Sequence, residues 1–211
     1  MKEQILHTAF RLFTSQGIQP FTMDDIAAKM AISKKTLYRF YDSRQHLIEE
    51  VCRHLETRYA NAFATADEQK SDSLQRVLAY MNTNLQFCKK LNPAFFSDLY
   101  KHYPQLANNL VTSLRATAYQ RLLKELEQGI AAGLFRGSVH PALVVAILQQ
   151  HMQKDFEFAA ELVNDYAKDE VFRQAMYLFL YGIIAPHAIP QLEAALGNEM
   201  IHNGVGQSND A

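Results

Sequence analysis

Cysteine is almost missing: Cys52 and Cys88 are the only two in 211 residues. Two isolated thiols make neither a disulfide framework nor a zinc site, which fits a reducing compartment and reads both as packing residues. No stretch of eighteen or more uncharged apolar residues occurs, so a membrane-spanning helix is not expected. The start, Met1-Lys2-Glu3, lacks the basic and apolar regions of an export signal, and the cytoplasm is the expected location. Catalytic constellations are missing too. The histidines (His7, His46, His54, His102, His140, His151, His187, His202) include no i, i+4 pair around a glutamate and none partnered by cysteine. There is no glycine-rich phosphate loop and no nucleophile elbow. Catalytic residues, a metal site and a cofactor are therefore not expected, and an all-helical enzyme is the less favoured reading. Glu50 and His54 share a helix face, where a surface hydrogen bond is the simpler purpose.

Proline is scarce as well. Pro20, Pro93, Pro104, Pro141, Pro186 and Pro190 leave long intervals with helical periodicity, which predicts an all-α fold of about nine helices. Ile5, Ala9, Leu12 and Phe13 form the stripe of a first helix that stops near Gly17. Thr22 caps a second, with Asp25 completing a capping box and Ile26 and Met30 facing inward. Ser33 opens a third from about Lys34 to Tyr41, after a tight turn near Ala31. Asp42 or Ser43 starts a long fourth helix to about Ala64, with Leu47, Val51, Leu55, Tyr59 and Phe63 on one side. Residues 67–73 are polar and read as a linker loop. Leu74, Val77, Met81, Leu85 and Cys88 mark a fifth helix, and Phe95, Phe96 and Leu99 a short sixth. Pro104 starts a seventh with the stripe Leu114, Ala118, Leu122, Leu126 and Ile130, closed by Gly129, Gly133 and Gly137. Two broadly apolar helices begin near Pro141 and Val171 and run to about Asp165 and Ala185. Residues 197–211 have the composition of a disordered tail. No internal repeat is present.

The net charge of −1 hides a gradient: residues 1–60 carry nine Lys/Arg against seven Asp/Glu, and the remainder twelve against fifteen. From Lys29 to Arg44, five cations (Lys29, Lys34, Lys35, Arg39, Arg44) face only Asp42. Such a block is commonly a solvated face, but interleaved with Tyr38 it equally reads as a phosphate footprint. On a helical wheel Leu37, Phe40 and Tyr41 group together, while Lys34, Lys35, Tyr38 and Arg39 project from the opposite arc. Two short helices joined by a tight turn, the second half apolar and half cationic, are the parts of a helix-turn-helix reader. On spacing alone, an ordinary basic surface helix fits as well.

The segment FTMDDIAAKMAISKKTLYRFYDSRQHLIEEV, Phe21 to Val51, resembles the DNA-binding segment of the tetracycline-repressor (TetR) family of bacterial transcriptional regulators. The matching features are Thr22, Ile26-Ala27, Ser33, Thr36-Leu37-Tyr38, Phe40-Tyr41, Ser43-Arg44 and Leu47, joined by Ala9, Leu12, Phe13 and Gly17 of the first helix. Three positions depart from the pattern. Ala31 stands where the family usually has the turn glycine, Lys35 where a small residue is frequent, and Arg44 where lysine is usual.

The resemblance implies roles residue by residue. Thr22 would bind a phosphate through its hydroxyl and nearby amides, and Ser33, Tyr38 and Arg44 would clamp phosphates. Lys34, Lys35, Thr36 and Arg39 would lie nearest the bases. It implies a homodimer on double-stranded operator DNA, with Leu143, Ile147, Phe172, Ala175, Phe179 and Ile183 as interface candidates, although completing the protomer's own core accounts for each equally well. It implies a pocket for a small-molecule effector, apolar or aromatic in character, for which the chain offers Met81, Phe95, Phe96, Tyr100, His102, Tyr103, Tyr119, His151, Phe156 and Tyr177. Aromatics at helical spacing are more often plain core. The domains would be a helix-turn-helix domain at 1–46, a connecting helix at 47–66, an effector-binding and dimerisation domain at 67–196 and the tail at 197–211. The function implied is a repressor released from a palindromic operator when a small molecule binds. A DNA-binding protein controlled by a protein partner, or an activator, is the alternative.

Overall fold

Most of the long proline-free intervals among the described residues are helical. A computed structural model describes residues 1–69, 72–150 and 168–204, and among them the fold is all-α, with one isolated bridge between Phe135 and Ile184. The helices are α1 (Lys2–Gln16), α2 (Met23–Lys29), α3 (Lys34–Phe40), α4 (Arg44–Gln69), α5 (Ser73–Lys89), α6 (Pro93–His102) and α7 (Pro104–Ala131). A helix α8 begins at 141 and is described to 150. Then come α9 (Lys168–Ile183), a 3-10 turn (Pro186–Ala188) and α10 (Ile189–Gly204).

The chain divides into two units, Met1–Glu68 with Asn82–Ala118, and Gln69–Met81 with Tyr119–Ala211. In the first, the apolar stripes of α1 to α4 meet in one core. Ile5, Phe13, Ile26, Leu37, Tyr41, Leu47 and Leu55 are fully buried there, and Phe95 and Leu99 of α6 with Ala107 and Leu110 of α7 close it. Each such aliphatic side chain stabilises the fold by roughly 1.5–3 kcal/mol.

The α1–α2 corner is held by side chains from far along the chain. The Asp98 carboxylate of α6 accepts the Ile18 and Gln19 amides at 2.7 and 2.9 Å. The Asn92 amide group donates to the Ser15 carbonyl at 3.0 Å, and the Asn92 backbone N–H to Thr14 at 2.7 Å. Gly17, at φ 88°, lets α6 come this close: a Cβ there would lie 2.9 Å from Asp98 Oδ2 and 3.0 Å from Ala94 Cβ.

In the second unit the Phe135 ring lies over Gly129, where an added Cβ would approach it to 2.3 Å. Arg76 of α5 meets the buried Glu125 of α7 at 3.4 Å. Beside them, burial pushes the Tyr80 phenol up to about 12, with the Glu125 charge adding to the effect.

Several elements differ from the sequence-based expectation. The stretch 67–73 is not loop throughout, because α4 continues to Gln69 on good helix formers with no breaker. Asp72 then caps α5, accepting the Gln75 amide at 2.9 Å. Residues 197–204, expected to be disordered, belong to α10, whose buried Leu192 and Leu196 give it an anchored face. Cys52 is buried, but Cys88 is exposed and so is not a core packing residue. Glu50 pairs with Arg53 at 2.9 Å rather than with His54. The expected end of the eighth helix near Asp165 lies outside the described residues.

Candidate nucleic-acid interface

Local side-chain chemistry sets both ends of α2. At its start the Thr22 hydroxyl accepts the Asp25 amide at 3.2 Å and donates to Asp25 Oδ2 at 2.6 Å, while that oxygen accepts the Thr22 amide at 2.8 Å. The two bonds that Oδ2 accepts from Thr22 hold the Asp25 carboxyl below its ordinary 3.8. At its end Ile32 donates to the Ala27 carbonyl and Ala31 to that of Ala28, both at 3.0 Å. That is the Schellman pattern, which needs a left-handed residue just past the cap. Ala31 supplies it at φ 53°, the only non-glycine with positive φ among the described residues. A side chain in this region costs roughly 1–2 kcal/mol.

Ser33 opens α3. Its hydroxyl accepts the Thr36 amide at 3.1 Å and lies 2.8 Å from the Thr36 hydroxyl. Leu37 is fully buried, Phe40 is half-buried, and Tyr41 is buried with its hydroxyl donating to the Lys2 carbonyl at 3.3 Å. On the other arc Lys34, Lys35 and Arg39 are exposed, Tyr38 keeps 39% of its surface, and Thr36 is half-buried. One face of seven residues is therefore fixed in the core, and the other presents cations and a phenol that can donate to phosphates or base edges.

The expected contact residues are not in equivalent states. Thr22 and Ser33 are exposed, and both already serve as helix caps. Lys34 makes an ion pair with Asp24 at 3.0 Å. Arg44 is half-buried and donates from Nη2 to the Ile18 carbonyl at 2.8 Å, with its Nε buried and without a partner. It thereby ties α4 to the α1–α2 corner. Sequence reading missed Asp24, Asp98 and Asn92 as members of this region. Asp24 reads as an ordinary acid in a helix's first turn, and nothing local marks a partner some eighty positions away, as Asp98 is to Ile18.

The effector candidates divide between the two units. Phe95 is buried in the first unit's core with the Phe96 ring 5.3 Å away, Tyr103 packs against that core, and Tyr100 and His102 are exposed. Met81, buried, and Tyr119 and Tyr177, half-buried, belong to the second unit. His151 and Phe156 lie outside the described residues. Among the interface candidates Phe172 and Ile183 are buried within the protomer, and Phe179 is half-buried. Leu143, Ile147 and Ala175 are exposed, the first two at 62% and 54%. Leu178, three residues after Ala175 and absent from the sequence-based set, is 78% exposed.

Residues 5–51 match the family described as bacterial regulatory proteins, tetR family. The HTH-type transcriptional regulator YvaF of Bacillus subtilis is 31% identical over 104 residues, which is 49% of this chain and 54% of that protein, so the match spans about half of YvaF. The HTH-type transcriptional repressor KstR2 of Rhodococcus jostii is 24% identical over 191 residues, 88% of this chain and 92% of its own length. Among solved structures, a TetR transcription regulator from Haloarcula marismortui superposes with a TM-score of 0.71 at 18% identity, covering 87% of this chain and 97% of that one.

Proposed function

We propose that the chain, whose residues 5–51 match the tetR family of bacterial regulatory proteins, is a ligand-responsive repressor of transcription. Its operator is palindromic double-stranded DNA, and a small molecule bound by the C-terminal helices releases it. The family is one of transcriptional regulators, not of enzymes. The repressor sign is supported by KstR2, whose name says it is one.

The observation that carries this reading is α3 itself, with Leu37 at 0% exposure on one side and Lys34, Lys35, Tyr38 and Arg39 open on the other. Lys35, Arg39 and Thr36 lie nearest the bases, with Lys34 joining them. Thr22, Ser33, Tyr38 and Arg44 address phosphates. Arg44 does so least directly, since its guanidinium already holds a backbone carbonyl.

A single seven-residue helix reads too few bases to be selective, so the working form is a homodimer whose two heads sit one helical turn apart, roughly 34–36 Å. Leu143, Ile147, Ala175 and Leu178 supply its exposed apolar surface, with Phe172, Phe179 and Ile183 backing it. The roles divide into a reading head at 1–46, a connecting helix at 47–66 and an effector and dimer portion at 67–196. This is a division of tasks rather than of cores, because Phe95, Leu99, Ala107 and Leu110 pack with the reading head. For an apolar or aromatic effector the second unit offers Met81, Tyr119 and Tyr177, and the first unit, separately, Phe96, Tyr100 and His102 on α6 with Tyr103 just after it. A coupling of ~1–3 kcal/mol between effector and DNA lowers affinity about 5- to 150-fold, enough for release.

Selection of bound duplexes from a random pool, followed by footprinting, tests the reading. Two inverted half-sites about one turn apart are expected. Enrichment of no sequence, or of a single unrepeated site, contradicts it.

A further inference from the structure

Asp24 is the second residue of α2 and Lys34 the first of α3. The Schellman turn through Ala31 brings them together, with Lys34 Nζ 3.0 Å from the Asp24 carboxylate and both side chains 61% exposed. Asp25, beside it, commits its carboxylate to Thr22. Asp24 is thus the acid of α2 that meets the reading helix, and its charge raises the Lys34 pKa above its ordinary 10.5, chiefly through their hydrogen bond. Among the described residues Lys35 and Arg39 have no carboxylate partner within ion-pair distance, so the restraint falls on one of three cations of α3.

We propose that Asp24 is a specificity-determining residue, which holds Lys34 away from arbitrary duplex and yields it to the operator. Binding to arbitrary DNA is almost wholly phosphate neutralisation, so a lysine occupied by a carboxylate contributes less and the carboxylate itself repels the backbone. At the operator, Lys34 is offered an acceptor fixed in register with the rest of the helix. An exposed ion pair is weak, and such a contact readily replaces it. Asp24 therefore lowers non-specific affinity more than specific affinity. This rests on the chain's binding DNA through α3.

Asp24→Asn keeps the size and polarity of the side chain while removing its charge, and helical circular dichroism checks that the fold survives. Anisotropy titrations of the full chain from 50 to 200 mM salt would use a mixed-sequence duplex and, alongside it, the duplex that wild-type protein selects from a random pool. On the mixed duplex at about 50 mM salt the variant should bind about three- to fourfold more tightly, a gain that fades toward about 200 mM as its log K against log salt slope is steeper by about 0.9. On the selected duplex the gain should stay under about twofold, so that the specificity ratio falls. In a Lys34→Gln background the gain on mixed duplex should shrink, since no lysine is left to release. Equal gains on both duplexes overturn the specificity role, and a full-sized gain without Lys34 overturns the pairing. If wild-type protein bound no duplex at all, the DNA-binding reading would fail instead, so the two failures are distinguishable.

Discussion

Ala31 occupies left-handed backbone that glycine adopts without strain. Ala31→Gly should raise stability by about 1 kcal/mol, partly offset by the added freedom of the unfolded chain, and lift the melting temperature by roughly 2–4 °C. An unchanged or lower melting temperature would mean that the Ala31 methyl contributes packing that outweighs its strain. The two thiols give a second residue-scale outcome. Cys52 is buried, which pushes its thiol up to about 12, so it should resist thiol reagents until the protein unfolds. Cys88 is exposed on α5, although crowding around its sulfur raises its pKa, so it should react in the native protein, slowly. Two thiols reacting at the same rate without denaturant would contradict this assignment. What was legible at this scale is what acts locally. Thr22, Asp25 and Ser33 announce caps because donor and acceptor lie within one turn. The Asp24–Lys34 pair was not legible, because its closeness depends on how the turn at Ala31 aims α3.

Elements meet in the first unit through two junctions that make their own demands. At the α1–α2 corner, Asp98→Ala leaves the Ile18 and Gln19 amides without their acceptor and should cost about 1–3 kcal/mol in chemical denaturation. A cost near zero would show that water replaces the carboxylate freely. Between α1 and α4, the His54 ring stands edge-on to His7 and Phe10, with centroids at 5.1 and 4.9 Å, and its Nε2 is buried without a partner. Burial first, then the His7 and Arg58 charges, hold its pKa below the ordinary 6.5. The unfolded chain thus takes up a proton at His54 more readily than the folded one, and stability is lost as pH falls from about 6.5 through the lowered folded value. Denaturation midpoints should fall less between pH 7.5 and 5.5 for His54→Gln than for wild type. Parallel pH profiles would remove His54 from the account. The sequence signalled α1 to α7 well because proline, caps and apolar periodicity agree there. It signalled α10 poorly, since Gly197, Asn198 and Asn203 mimic a disordered composition while Leu192 and Leu196 provide the anchor.

For the whole molecule, a net charge of −1 gives no general attraction to DNA, so binding must come from where the cations stand. The proposed homodimer adds a second requirement, a two-fold partner. Leu178, the most exposed large hydrophobic among the described residues, is the residue whose replacement by glutamate should hurt assembly without emptying a core. Leu178→Glu should sediment as a monomer and bind a two-half-site duplex at least about tenfold more weakly. A variant still dimeric would place the interface elsewhere. Of the residues the sequence offered for pairing, Phe172 and Ile183 are buried within the protomer and Leu143 and Ile147 are exposed, a difference that a helical wheel does not show. Apolar periodicity gives the angle of a face and not what covers it. The central claim, that the outer arc of α3 neutralises DNA while Leu37 fixes it to the core, is tested most directly by the salt dependence of binding for Arg39→Ala beside wild type. The slope of log K against log salt should flatten by about 0.9 for the lost contact with the fold intact, and an unchanged slope would contradict it.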